Sequence, residues 1–197
     1  MKKNAFIFLG RSGCGKGTQS KLLIEHFAKA DSGRKVVYTE TGAGFREFIK
    51  TDSYSSTRAG EIMATGGRQP DFLAVHIWSH ALIRDIGDTT DVLIIDGTPR
   101  SLSEARILET VFPFYGFFPS VIYLSLSREI ATERLLERAR EDDTKQKIIE
   151  ERMNWFDRDV MPAVLYYRSN QAVRFIEVDA SHDAEVLHRE ILSLIPL

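Results

Sequence analysis

Residues 5–28 leave the chain few folds to choose from. Ala5-Phe6-Ile7-Phe8-Leu9 is a continuous apolar run of strand length, and it ends in the glycine-punctuated stretch Gly10-Arg11-Ser12-Gly13-Cys14-Gly15-Lys16-Gly17-Thr18-Gln19. From Lys16 a helical pattern runs to about Ala28, with Leu22, Leu23 and Phe27 along one side. A strand apolar on both sides has to be covered on both faces of its sheet, and a helix entered directly from it starts a crossover to a parallel neighbour. In the turn between them, glycines let successive backbone N–H groups curl around an anion. The helix N-terminus adds positive potential and Lys16 a point charge. The segment therefore predicts a polyphosphate cradle of Gly13, Cys14, Gly15, Lys16, Gly17 and Thr18, with Cys14 as a small residue filling a tight loop.

Four further apolar or β-branched runs, 36–39, 92–95, 121–126 and 175–178, alternate with helical spacing. That alternation predicts an α/β fold around a parallel sheet. Residues 71–86 read as a helix opened by Pro70 and Asp71, with Phe72, Val75, Leu82 and Ile83 toward a core. A polar stretch, 50–57, joins short helical patterns at 44–49 and 58–64, which together suggest a mobile flap. With 197 residues and 43% hydrophobic content the chain supports one domain over 1–197. A formal net charge of −2 excludes general attraction to nucleic-acid polymers or anionic membranes. The single cysteine rules out an internal disulfide. No apolar run reaches the ~18 residues of a membrane span. The first apolar run stops at Gly10 without a cleavage-like segment, so the chain reads as a mature cytoplasmic protein.

Gly10, Gly15 and Lys16 match P-loop spacing, while Gly17 stands where Ser or Thr is expected and the hydroxyl follows at Thr18, a weak candidate metal ligand. Gly15-Lys16-Gly17-Thr18-Gln19 is more particular, and it resembles the adenylate kinase family of nucleoside monophosphate kinases. Further pieces occur in that family's order: Thr41-Gly42 with Arg46, Gln69-Pro70-Asp71, Asp96-Gly97-Thr98-Pro99-Arg100, Asp142-Asp143, Arg152 and Tyr166-Tyr167. The resemblance implies a five-stranded parallel sheet with helices on both faces and a monophosphate-binding flap at about 41–70. It implies reversible transfer of a phosphoryl group from ATP to a monophosphate, AMP leading, with magnesium accompanying the ATP. A terminal phosphate is already an anionic nucleophile, so positioning and charge outweigh any base. The candidates are Lys16 for the donor and Arg46 and Arg100 for the acceptor phosphate. Arg134 and Arg138, four apart on one helical face, and Arg152 would neutralise charge at transfer. Thr41, Gly42, Gln69 and Gly97 complete the acceptor side, and Arg140 is a weaker candidate against the bland reading of a solvated, charge-paired helix face. Asp96 either orders a magnesium-bound water or caps the turn that follows it.

Two departures bear on function. Only Ala139, Arg140 and Glu141 separate Arg138 from Asp142, so the lid is vestigial, about 138–143. Lost water exclusion would show as ATP hydrolysis, or closure would come from a second copy in a homo-oligomer. Glu104 stands where adenylate-specific members carry glutamine. It either accepts from an exocyclic amino group or from guanine's edge, broadening acceptor choice, or it is a surface glutamate. The aromatic stretch 112–119 covers a sheet edge or forms a subunit interface, and His76 and His80 read as packing histidines. The rival to the enzyme is a noncatalytic nucleotide-binding module; both phosphate-side arginines argue against it.

Overall fold

The computed structural model describes residues 3–31, 33–138 and 146–196. Its strands are β1 (Lys3–Gly10), β2 (Val36–Glu40), β3 (Val92–Asp96), β4 (Phe117–Ser125) and β5 (Arg174–Asp179). Its helices are α1 (Lys16–Ala30), α2 (Thr41–Phe48), α3 (Tyr54–Ala64), α4 (Asp71–Asp85), α5 (Leu102–Glu109), α6 (Val111–Tyr115), α7 (Arg128–Arg138), α8 (Gln146–Trp155), α9 (Met161–Ser169) and α10 (Ala184–Leu194), with a π-helical turn at Phe156–Val160. The strands form one parallel sheet in the order β2-β3-β1-β4-β5. The five-stranded α/β expectation is met.

The apolar runs are near-continuous because each strand feeds two cores. On β1, Ala5, Ile7 and Leu9 face Trp78 and Leu82 of α4, Leu108 of α5 and Tyr167 of α9. Phe6 and Phe8 face Leu23 and Phe27 of α1, Leu135 of α7, Met153 of α8 and Ile191 of α10. The connections from β1 turn one way to β2 and those from β3 cross to β4. The order therefore reverses at β1, and the carboxyl ends there frame the crevice in which such sheets bind ligands. In register, Glu40 of β2 lies beside Asp96 of β3, and Phe8 of β1 beside Asp96.

The flap has its own small core, Phe45, Ala59, Leu73 and Ala74, which ties α2 and α3 to α4. Helix α3 starts earlier than its apolar pattern suggested. Ser53 caps it by accepting from the Ser56 N–H (3.0 Å), and Ser56 Oγ accepts in return from the Ser53 N–H (3.1 Å). The reciprocal cap normally announces itself by Glu or Gln at its third residue; here serine fills that place inside a polar run.

Three expectations need correction. On α4 the buried residues are Leu73, Ala74, Trp78 and Leu82, whereas Phe72 and Ile83 are 73% and 71% exposed. Helix α4 packs on the flap as well as on the sheet, which rotates its buried face away from the line through Phe72 and Ile83. His76 and His80 are not packed inside; they are exposed on α4, rings stacked 6.0 Å apart. The aromatic stretch, which the sequence suggests is the connection before the fourth strand, is α6, a left-handed Gly116 and the start of β4, which begins four residues before the apolar run. Phe112 and Phe117 turn inward and Phe114 and Phe118 outward. Pro119 is tolerated because β4 there pairs only with β1; pairing with β5 begins at Ser120. The expectations for Arg140, Asp142-Asp143 and most of the lid lie outside the described residues. None of the described helices is long and apolar enough to cross a membrane.

Candidate active site

The carboxyl ends of β1, β2 and β3 open into a cleft lined by Lys16, Thr18, Glu40, Arg46, Gln69, Asp96, Arg100, Arg134 and Arg152, among others. Its floor is the loop between β1 and α1. Gly10 (φ +148) and Gly13 (φ +88) are required there: a Cβ on Gly10 would lie 2.5 Å from Cys14 Sγ, and one on Gly13 2.7 Å from the Ala131 carbonyl oxygen. Gly15 enters α1 with no side-chain cap, leaving the first-turn N–H groups of Lys16, Gly17 and Thr18 for an anion. Lys16 Nζ folds back over the loop, donating to the carbonyls of Gly10 (2.7 Å) and Arg11 (2.9 Å). Cys14 is fully buried, and burial pushes its thiol up despite the nearby Lys16, so it packs as a small apolar residue.

Asp96, at the end of β3, is 5% exposed and accepts a long hydrogen bond from the Tyr38 hydroxyl (3.5 Å). Burial raises its carboxyl, Lys16 pulls it back, and Glu40 raises it further. Gly17 keeps the approach to Asp96 clear, since a Cβ there would lie 3.4 Å from Oδ2.

On the other side of the cleft, Arg46 Nη2 donates to Glu40 Oε1 at 2.6 Å, and the Thr41 and Thr98 hydroxyls meet at 2.6 Å. Arg100 is fixed by its Nε donating to the Gly97 carbonyl (2.8 Å) and by the Trp155 ring 5.7 Å beneath its guanidinium. Burial lowers Arg100's affinity for its proton; Glu104 opposes that, and the like charge of Arg152 adds to it. A Cβ on Gly42 would lie 3.3 Å from Arg46 Nη1, 3.5 Å from Glu40 Oε1 and 3.7 Å from Arg100 Nη2. The absent side chain at Gly42 thus lets two guanidiniums converge on one spot.

Lys16, Arg46, Arg100 and Arg152 are brought to one cleft, as the sequence suggested. Arg134 lines it too, but its guanidinium is engaged at the rim, with the carbonyls of Ala180 (2.7 Å) and Ser181 (3.0 Å). Arg138 is the last residue of α7. Glu104 is no surface glutamate. It is wholly buried on the first turn of α5, with Arg68 Nη1 3.7 Å away, and burial pushes its carboxyl up to about 7.

The sequence did not single out Glu40 or Tyr38, and it marked Trp155 only as a residue packing a helix against the sheet, which it also does. Glu40 was legible as a carboxylate ending a strand immediately before Thr41-Gly42; Trp155 was not, since only packing brings α8 beneath Arg100. Arg11 also serves the cleft floor, joining it to Asp157 (2.6 Å) and stacking 4.6 Å over Phe156.

The model of the adenylate kinase family matches residues 8–172. The chain is 30% identical to an adenylate kinase of Oenococcus oeni over 99% of its own length and 98% of that protein's. It is 31% identical to adenylate kinase 1 of a Nostoc species, covering 92% of this chain and 94% of the relative. To an adenylate kinase of Prochlorococcus marinus it is 32% identical, covering 91% and 92%.

Proposed function

The chain belongs to the adenylate kinase family and is a nucleoside monophosphate kinase, and from that premise we propose how its own residues carry a phosphoryl group from ATP to AMP. The observation that carries the reading is the convergence of Arg46 and Arg100 over Gly42. A guanidinium offers two parallel N–H donors to phosphate oxygens, so a pair of them grips a monoanionic or dianionic phosphate and fixes its orientation. The phosphate loop and Lys16, on β1 and α1, line the same cleft, as does Asp96 at the end of β3.

In this reading the loop N–H groups of residues 13–18 hold the donor's phosphates, and Lys16 swings from the Gly10 and Arg11 carbonyls onto them. Arg100, held flat by Trp155 and Gly97, aims an acceptor oxygen at the donor's terminal phosphorus. No proton has to be removed from that oxygen, so the work is positioning and neutralisation of the charge spread over the transferring group's three oxygens. Arg152 beside Arg100 supplies cationic charge at the transfer point, and Arg134 frames the donor's rim. The flap at about 41–70 covers the acceptor, its small core packed on α4.

Magnesium fits this cleft as an ion that arrives with the nucleotide. Among the described residues no three His, Cys, Asp or Glu side chains group together, whereas Asp96 keeps lone pairs for a metal-bound water. Thr18 is exposed at the start of α1, a weaker candidate. Bound there, the ion would offset charge on the donor's outer phosphates. Following ADP formation from ATP plus AMP tests the reading, and an intact protein that makes none refutes it. Arg100→Ala should lower kcat/KM for AMP by roughly a hundredfold or more, the order expected when a charged partner of a transferring phosphate is lost.

A further inference from the structure

Trp155 belongs to the core on the α4 face of the sheet, yet it also lines the cleft and makes two contacts there. Its ring lies 5.7 Å from the Arg100 guanidinium, and its Nε1–H donates to the Gly66 carbonyl (3.0 Å) in a buried hydrogen bond. Trp78, buried in the same core, shows the contrast: its Nε1 has no hydrogen bond among the described residues. Gly66 (φ +74) follows the C-cap of α3, and a Cβ there would lie 2.8 Å from the Ile148 carbonyl oxygen. Only glycine therefore lets the end of the flap sit flush on α8.

The same segment is held twice more. Arg68 Nε donates to Asp159 Oδ2 (3.1 Å) in the π-helical turn that follows Trp155, and the Gln69 amide donates to the Ala59 carbonyl (2.8 Å) on α3. Residues 66–69 thus join the flap to α8 and the turn after it, the part of the chain that carries the ring to Arg100.

Resting on the kinase reading above, we propose that Trp155 is a positioning residue that makes the aim of Arg100 depend on how the flap seats against α8. Arg100 Nε is already committed to the Gly97 carbonyl (2.8 Å), so the freedom left to its guanidinium is tilt of the plane, and the indole beneath it limits that tilt. The indole is itself held in one orientation by Gly66. Released from Gly66, the ring no longer fixes the plane from which the remaining nitrogens reach the acceptor phosphate, and a small error in the placement of a reacting oxygen slows transfer strongly.

The test is a double-mutant cycle read as kcat/KM for AMP at saturating magnesium-ATP. Trp155→Leu, which removes ring and N–H, should lower it roughly tenfold, the order of a lost desolvated cation–π contact, with the KM for ATP unchanged within about twofold. Trp155→Phe, which keeps a ring and removes the N–H, should fall between Trp155→Leu and wild type. Because the residue acts through Arg100, both effects should vanish on an Arg100→Ala background, whereas lost packing costs the same in either background. A second measurement is made on the wild-type protein, which has two tryptophans. Of the two indole N–H signals in its ¹⁵N NMR spectrum, the one absent from Trp155→Phe should shift as AMP is added, and that of Trp78 should not. Wild-type kcat/KM in Trp155→Leu, an equal loss on the Arg100→Ala background, or a Trp155 signal unmoved at saturating AMP overturns the coupling and leaves the kinase reading standing. Failure of the wild-type protein to phosphorylate any monophosphate overturns both.

Discussion

Gly42→Ala separates the acceptor site from the fold. The new methyl would lie 3.3 Å from Arg46 Nη1 and 3.7 Å from Arg100 Nη2, the far ends of flexible side chains that can yield a few tenths of an ångström. Gly42 sits in the first turn of α2, so alanine should stabilise the protein, by at most ~1 kcal/mol on helix propensity. For a chain of this size that is a rise in Tm of at most about 2–4 °C. The acceptor phosphate fares differently. Its oxygens must come within ~2.7–2.9 Å of both guanidiniums, and a methyl between them displaces at least one charge-assisted hydrogen bond. The loss, about 1.5–3 kcal/mol, corresponds to roughly a 10- to 100-fold fall in kcat/KM for AMP. Steady-state kinetics at saturating ATP, calorimetry with ATP alone and a thermal melt together decide it. A variant of unchanged or higher Tm and unchanged ATP affinity that still uses AMP like wild type would show that the acceptor phosphate does not sit over Gly42.

Lys16→Met should retain the fold and lower turnover by on the order of a hundredfold or more, measured as ADP formation. Glu40→Gln removes the carboxylate that holds Arg46, a half-exposed pair worth about 0.2–1 kcal/mol, so the KM for AMP should fall roughly 1.5- to 5-fold with little change in kcat. With three residues between Arg138 and Asp142, ATP should be hydrolysed measurably when no acceptor is present; a negligible rate in a protein that light scattering shows to be a monomer refutes the open-cleft reasoning. Glu104 also leaves a mark on stability. Its folded value, about 7 against 4.5 for the free group, means the native state holds a proton that the unfolded chain has lost, so stability is present below 4.5 and declines as pH rises through 7. The loss between pH 5 and 8 should be on the order of 3 kcal/mol, and urea melts of Glu104→Gln should lack that component.

What the sequence disclosed was what is local. The five strands and the phosphate turn are written in consecutive residues, because a strand buried on both faces needs an unbroken apolar run and an anion cradle needs its glycines in series. The arginines were legible as a supply and less so as an arrangement. Arg134 is drawn to the carbonyls of Ala180 and Ser181, which follow β5 and are remote in sequence. Phe72 and Ile83 misled for a similar reason: helical spacing says that residues share a face, and only the flap decides which face α4 buries. Glu104 was noticed through its position, but its complete burial depends on Arg68 and Asp71 closing around α5 from a different segment.

Four of the cleft's cations, Lys16, Arg46, Arg100 and Arg134, are engaged within the chain, and that sets the terms on which nucleotides enter. Lys16 and Arg134 rest on neutral carbonyls, and so does Arg100 through Nε, whereas Arg46 is held by a full carboxylate. A phosphate arriving at the loop replaces carbonyl hydrogen bonds with charge-assisted ones and keeps most of the difference. One arriving at Arg46 must exchange for Glu40, whose charge then stands beside the bound acceptor. Glu40 adjoins Asp96 in the sheet register, so the same carboxylate acts on both Arg46 and Asp96. The acceptor side is therefore the weaker and more adjustable of the two, and ionic strength should raise the KM for AMP more in Glu40→Gln than in wild type, because in wild type salt also screens the competing carboxylate.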